Sequence, residues 1–233
     1  MKEIIYYKVG GTVRDELMGV TPKDIDLVSI GGSFDEVVQD IKNKGGKVFL
    51  EIPKFLTIRC LMPDIGPCDI RLARKDGHYE DGRRPNEVFI ADSLYDDSLT
   101  RDFTVNALYK NLATGEIIDY HYGIEDINTK RLRCVGNAED RIREDSLRLL
   151  RAIRFCITKG FVIDSDLYRC FIYGEFTRLL KNVSAERIRE EIYKCFKFDT
   201  VKTMEYLMDY DYIREEVFNE RTKLWLKPTT EEK

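Results

Sequence analysis

The sequence predicts an α+β protein in two parts: a mixed sheet with helices over residues 1–135, then an all-helical region over residues 136–233. Three observations carry this. From Ile4 to Ile30 the pattern runs strand, Gly-Gly turn, short helix, strand. Turn residues, including Pro53, Pro63, Pro67 and Pro85, punctuate the first half, whereas no proline occurs between Gly136 and Pro228. Finally, 43% hydrophobic residues in a chain of 233 can fill the cores of one or two domains.

The elements follow in order. Ile4 to Val9 reads as a strand, Gly10-Gly11 as a turn, Thr12 to Met18 as a helix and Asp24 to Ile30 as a second strand. Further short strands are expected at Lys47 to Glu51, Leu56 to Leu61, Cys68 to Ala73, Val105 to Tyr109, Glu116 to Tyr120 and Arg131 to Val135. Beyond Gly136 the spacing predicts helices near 138–158, 164–173, 184–197 and 199–209. Ser184 suits an N-cap, and Glu186 suits the positive end of that helix. The polar stretch from Lys227 to Lys233 is expected to fray.

Composition excludes several classes of protein. No apolar run approaches the roughly 18–20 residues of a membrane span. The opening residues run straight into a strand, so no signal peptide is expected. The six cysteines show neither a C-x-x-C pair nor regular spacing, which suits reduced thiols in a cytoplasmic protein better than disulfides or a zinc site. With only His78 and His121, a histidine-based metal site is disfavoured. The net charge of −4 argues against a large nucleic-acid footprint. However, Arg141, Arg143, Arg148, Arg151 and Arg154 fall close together, so a local basic cleft is compatible with an acidic whole.

The chemistry concentrates near the start. Phosphates could approach the bare backbone at Gly10-Gly11, facing a helix N-terminus and Arg14. Strand alternation then places Asp24 and Asp26 on one face and Ile25 on the other. Two adjacent carboxylates bind hard divalent cations through oxygen, and Mg²⁺ fits that demand. A Gly-Gly turn alone is usually only a turn, and a lone Asp-x-Asp is usually a solvated strand edge. Their close succession favours phosphoryl or nucleotidyl transfer.

The run Val9 to Asp15 (VGGTVRD) followed by Asp24 to Asp26 (DID) resembles the first motif of the class II tRNA nucleotidyltransferase and bacterial poly(A) polymerase family. Four further segments resemble that family's motifs in its order: Asp69 to Pro85 (DIRLARKDGHYEDGRRP), Thr100 to Ala107 (TRDFTVNA), Arg141 to Phe155 (RIREDSLRLLRAIRF) and Val183 to Ile188 (VSAERI). Thr100 stands where the family usually has a first arginine, and Asp69 where it often has glutamate. The resemblance implies a polymerase-β-like nucleotidyltransferase head followed by a helical neck and partial body. It implies that Asp24 and Asp26 hold Mg²⁺, with Asp69 as a third catalytic carboxylate. Gly11, Arg14, Arg101 and Asp102 would then serve nucleotide binding, with Arg101 on the phosphates and Asp102 on the sugar hydroxyls.

In the same resemblance Asp145 and Arg148 read the base, and Arg151 and Arg154 contact the triphosphate. An expected i, i+3 spacing puts Asp145 and Arg148 on one helical face. An aspartate acceptor with an arginine donor matches the amine and acceptor edges of cytosine and adenine. Arg74 with Asp81 to Pro85 (DGRRP) resembles the loop used in switching from C to A addition. The implied activity is template-independent addition of CMP and AMP, or AMP alone, to the 3′ end of tRNA, with ATP and CTP as substrates. Other readings stay open: a poly(A) polymerase, a nucleotidyltransferase that modifies tRNA ends, and a non-catalytic nucleotide- or RNA-binding module. Only about 35 residues follow Phe198. The body is therefore expected to be short, with contact limited to the acceptor end or completed by a second copy in a homodimer.

Overall fold

The computed structural model describes residues 3–77 and 88–224, which divide between Gly136 and Asn137 into two compact units. The first is built on a seven-stranded sheet. Its elements are β1 (Ile5–Val9), α1 (Gly11–Leu17), β2 (Ile25–Ile30), α2 (Phe34–Asn43), β3 (Lys47–Ile52), β4 (Thr57–Met62), β5 (Gly66–Leu72), the hairpin pair β6 (Arg74–Asp76) and β7 (Val88–Ile90), α3 (Leu94–Leu99), β8 (Leu108–Asn111), β9 (Ile117–Asp119) and α4 (Gly123–Asn128). The strand order is β3-β4-β5-β2-β1-β8-β9. Among the described residues only β2 and β5 of this sheet pair in parallel, so the sheet is mixed.

Strand alternation builds a core on each face of this sheet. On one side Tyr6, Leu27, Ile58, Ile70 and Leu72 pack with Val37, Val38 and Ile41 of α2. Ser33 and Glu36 start α2 with a reciprocal capping box. On the other side Tyr7, Val9, Val28 and Tyr109 pack with Ala73, Ala91 and Leu94. Each fully buried aliphatic or aromatic side chain contributes about 1.5–3 kcal/mol. The two faces together therefore pin the register that brings Asp26 beside Asp69.

Two expectations in this unit are corrected. The strand expected over Val105 to Tyr109 begins only at Leu108, because Thr104–Asn106 forms a 3₁₀ turn. Thr104 there donates its hydroxyl to the buried Asp126 carboxylate at 2.6 Å, and that bond holds the turn away from an extended course. The strand expected over Arg131 to Val135 is regular only at Arg131–Leu132.

The second unit is helical: α5 (Ala138–Glu144), α6 (Leu147–Lys159), α7 (Ser165–Ile172), α8 (Gly174–Thr177), α9 (Ala185–Phe198), α10 (Thr200–Asp209) and α11 (Asp211–Val217). Asp164 and Asp199 cap α7 and α10 through their carboxylates. Helix α6 packs on α9, with Leu149, Leu150 and Ile153 of the first and Ile188, Ile192 and Cys195 of the second fully buried. Ser184 holds the N-cap position of α9, but its side chain makes no capping bond.

The single helix expected over 138–158 is in fact two, broken at Asp145, whose backbone is extended at φ −148° and ψ 95°. Among the described residues no helix is long and apolar enough to cross a membrane. All six cysteines are buried free thiols.

Candidate active site

The first motif is held by a hydroxyl that sequence reasoning did not single out. Gly10 precedes α1 at φ 65° and ψ −129°, a conformation that needs glycine, and the chain then turns directly into the helix. Gly11 is the first helical residue, where an added Cβ would lie 3.4 Å from Arg14 Nη2. Thr12, almost fully buried, donates Oγ1 to the Asp24 carbonyl at 3.2 Å and accepts from the Asp26 amide at 3.0 Å. One side chain thus clamps the backbone on both sides of Ile25 and sets the spacing of the two aspartates.

Asp24 is exposed in the turn before β2, and Asp26 is half-buried within the strand. Among the described residues neither carboxylate accepts a hydrogen bond or forms an ion pair. Asp69 lies directly beside Asp26 in the parallel register. Its carboxylate is already occupied: Arg59 of β4 donates Nε to Oδ1 at 2.7 Å and Nη2 to Oδ2 at 2.9 Å. The Arg59 hydrogen bonds hold the Asp69 carboxyl below the ordinary carboxylate range.

Among the described residues no group of three or more His, Cys, Asp or Glu side chains forms a metal-binding cluster. Asp69, expected as the third carboxylate, stands beside Asp26 but is engaged by Arg59. What remains is the Asp24–Asp26 pair, whose free oxygens fit a hard divalent cation.

Arg71, two residues after Asp69 and therefore on the same face of β5, sits among charges. Burial and the neighbouring Arg101 depress its guanidinium pKa, with Asp26 acting in the opposite sense. Behind it lies Asp97 of α3, only 2% exposed. Asp97 Oδ2 accepts from Arg101 Nη2 at 2.6 Å, Arg101 Nε at 3.1 Å and the Tyr109 hydroxyl at 2.7 Å, while Oδ1 accepts from the Arg74 amide at 3.1 Å. Burial alone would raise the Asp97 pKa, but Arg101, Tyr109 and the Arg74 amide outweigh it and hold the carboxyl low. Arg101, expected to reach phosphates, is thus oriented by Asp97, with its guanidinium 5.7 Å from the Tyr109 ring centroid.

Arg14 and Asp102 belong to one hydrogen-bonded chain. Arg14 is 6% exposed and donates Nη1 to Asn106 Oδ1 at 2.6 Å, while its Nε and Nη2 reach Asp15 Oδ1 at 2.9 and 2.8 Å. Asn106 in turn donates to Asp102 Oδ1 at 2.9 Å. Arg14, the arginine expected to face phosphates, ties α1 to the 3₁₀ turn and so joins the first two motifs.

In the helical unit Asp145 and Arg148 fall on either side of a helix break, joined by a bond from the Arg148 amide to the Asp145 carbonyl at 3.1 Å. Asp145 ends α5 and accepts from Arg187 Nη2 at 2.8 Å through Oδ2, and from the Leu147 amide at 3.2 Å through Oδ1. Arg148 enters α6 nearly buried, donating to the Arg141 carbonyl at 2.6 Å and to Glu144 Oε2 at 3.0 Å. The two are three residues apart across a helix break, so they do not share one continuous helical face.

Arg154 donates Nε to the buried Glu191 of α9 at 2.5 Å, and Lys194 reaches the same carboxylate at 3.0 Å. Burial pushes the Glu191 carboxyl up, while Arg154 and Arg151 together pull it below the ordinary value. Asp81 to Pro85 and His78 lie outside the described residues.

The first unit is thus a mixed sheet bearing an Asp-x-Asp pair beside a glycine-started helix, and comparison gives it a family. The chain belongs to the poly A polymerase head domain family, which matches residues 6–133. It is 37% identical over 188 residues to the CCA-adding enzyme of Enterococcus faecalis, covering 81% of this chain and 44% of that enzyme. It is 35% identical over 206 residues to the CCA-adding enzyme of Oceanobacillus iheyensis, covering 87% and 49% respectively.

Among solved structures it resembles the Bacillus stearothermophilus CCA-adding enzyme in complex with CTP, at a TM-score of 0.76 and 29% identity, over 90% of this chain and 49% of that one. It also resembles the Thermotoga maritima CCA-adding enzyme complexed with tRNA, at 0.75 and 25%, over 97% and 50%. The chain spans about half the length of the curated relatives it matches.

Proposed function

We propose that this chain is a metal-dependent nucleotidyltransferase that adds CMP and AMP, without a template, to the 3′ end of tRNA. The observation that carries the reading is the pair of unpartnered carboxylates, Asp24 and Asp26, clamped by Thr12 in a chain whose relatives are CCA-adding enzymes. In the reaction the terminal 3′-oxygen attacks the α-phosphorus of CTP or ATP. The bond to pyrophosphate breaks, and the hydroxyl proton leaves to solvent.

Asp24 and Asp26 would hold the divalent ion, Mg²⁺ being the one their oxygens suit. When bound, it lowers the pKa of the attacking hydroxyl and offsets charge on the triphosphate. The chain's own contribution is placement and electrostatics. Thr12 sets the carboxylates, Arg101 is aimed by Asp97, and Asp102 is held by Asn106 for the sugar hydroxyls. Asp145 and Arg148 supply the acceptor and donor for cytosine and adenine edges, and a mismatched edge would leave groups unpaired at about 1–3 kcal/mol each.

The test is incubation with tRNAs ending before, within and after CCA, one labelled nucleotide at a time. C should be incorporated before A, and A only once, after both Cs. A long run of A would make the chain a poly(A) polymerase instead. Asp24→Ala and Asp26→Ala should each abolish incorporation without unfolding the protein. Mass in solution, measured alongside, decides whether the working form is a homodimer.

A further inference from the structure

On the face of the sheet that carries Asp26, Arg71 makes no hydrogen bond or ion pair among the described residues. Arg71 neighbours Val28 on β2 in the parallel register, one step along the same face from the Asp26–Asp69 pair. An arginine side chain carries five N–H donors. The carboxylates near it are Asp26 and Asp97. Asp97 is already committed to Arg101, Tyr109 and the Arg74 amide. Asp26, in the proposed function, is committed to a cation. Arg101 and Arg74 add further positive charge beside Arg71. A half-buried guanidinium in that setting lacks an anion, and its fork geometry suits paired phosphate oxygens.

We propose that Arg71 is a substrate-binding residue whose guanidinium holds the β- and γ-phosphates of the incoming nucleotide and the pyrophosphate that leaves. The assignment rests on the proposed nucleotidyl transfer for its ligand. Its location comes independently, from the register and from the unpartnered donors. Nothing in the sequence patterns marked Arg71, because an arginine between Ile70 and Leu72 reads as an ordinary solvated strand position.

The test has two readouts on the full chain. The first is calorimetric titration of wild type, Arg71→Ala and Arg71→Lys with inorganic pyrophosphate. The second is steady-state incorporation with CTP and ATP. Arg71→Ala should weaken pyrophosphate binding about 10- to 100-fold, the usual size of a lost charge-assisted contact. It should raise KM for both nucleotides with a smaller change in kcat, at an unchanged thermal midpoint. Arg71→Lys should recover part of the affinity, since it returns the charge without the fork. If Arg71→Ala does not fold, Arg71→Lys decides alone, by its loss of pyrophosphate affinity.

Equal affinity in a folded variant and wild type, or no pyrophosphate binding by wild type, overturns the inference. Arg71-dependent pyrophosphate binding by a wild type that incorporates no nucleotide would leave the anion site standing and the proposed function refuted. Normal incorporation and unaltered binding in Arg71→Ala would do the reverse.

Discussion

Arg59 lies directly opposite Asp69 across β4 and β5, and its guanidinium grips both oxygens of that carboxylate. The carboxylate proposed as third in the site is therefore held by an exposed arginine. Arg59→Ala should release Asp69 toward Asp26 and lower the Mg²⁺ concentration at half-maximal incorporation several-fold. An unchanged Mg²⁺ midpoint would mean that Asp69 is not a ligand and serves only to orient the strand. The pair also has a pH signature. The Asp69 pKa is depressed on folding, so its small stabilisation is present above the unfolded carboxylate value near 3.9 and is lost as pH falls through the lower folded value.

The Thr12 bridge predicts a coupled loss of stability and activity. Thr12→Val keeps the volume but leaves the Asp26 amide and the Asp24 carbonyl without their partner, at about 1–3 kcal/mol. Incorporation should fall by more than nucleotide binding does, because the carboxylates lose their spacing. Thr12→Ser should restore both. Urea denaturation alongside kcat checks this, and a Thr12→Val protein with normal kcat would remove Thr12 from the positioning role.

Asp97 is the buried anion that holds Arg101, and breaking such a pair from one side costs about 3–5 kcal/mol. Asp97→Ala should destabilise the sheet unit by that order in urea denaturation at neutral pH. In wild type the folded Asp97 pKa is lowered. Its contribution is therefore complete above the unfolded carboxylate value near 3.9 and is lost as pH drops through the folded value. Denaturation midpoints followed from neutral to acid pH should show a shallower acid decline for Asp97→Ala than for wild type. Parallel curves would show that Asp97 does not carry the linkage.

Asp145 is held by Arg187 from the motif Val183 to Ile188, so the two should act together in choosing the base. Asp145→Ala should admit UTP and GTP more readily while leaving CTP binding largely intact. Arg187→Ala should produce a weaker version of the same change. Competition among the four nucleotides measures it. Unaltered discrimination in both variants would return this junction to a purely structural role.

Glu191 joins α9 to α6 through Arg154. Glu191→Ala should cost the helical unit about 1–3 kcal/mol by leaving the half-buried Arg154 without its carboxylate. A loss under 1 kcal/mol would indicate that Arg154 turns to solvent or to a phosphate instead.

Much of the architecture was legible locally. The β1–α1–β2 frame, most of the sheet strands and the start of the helical region follow from alternation, glycine placement and proline distribution, because those patterns act over a few residues. Asp26 falls in β2 as strand period predicts, whereas Asp24, read as the first residue of that strand, stands in the turn just before it. The break at Asp145 was not legible locally. Its neighbours are good helix formers, and the partner that occupies its carboxylate, Arg187, is remote in sequence. Nor could local pattern show that Thr104–Asn106 would turn, because the bond that favours the turn goes to Asp126.

The sequence by itself determined which residues carry charge, where most strands and helices form, and that two aspartates stand one residue apart at the start of β2. Only the tertiary structure decided which of the many arginines are already neutralised. Arg14 is bound to Asn106 and Asp15, Arg59 to Asp69, Arg101 to Asp97 and Arg154 to Glu191, while Arg71 has no such partner among the described residues. Most of these pairings depend on strand register and on which helix covers which face. Arg14–Asn106 and Arg154–Glu191 join residues 92 and 37 positions apart, so no local pattern announces them, whereas Arg14–Asp15 and Arg101–Asp97 are local pairs.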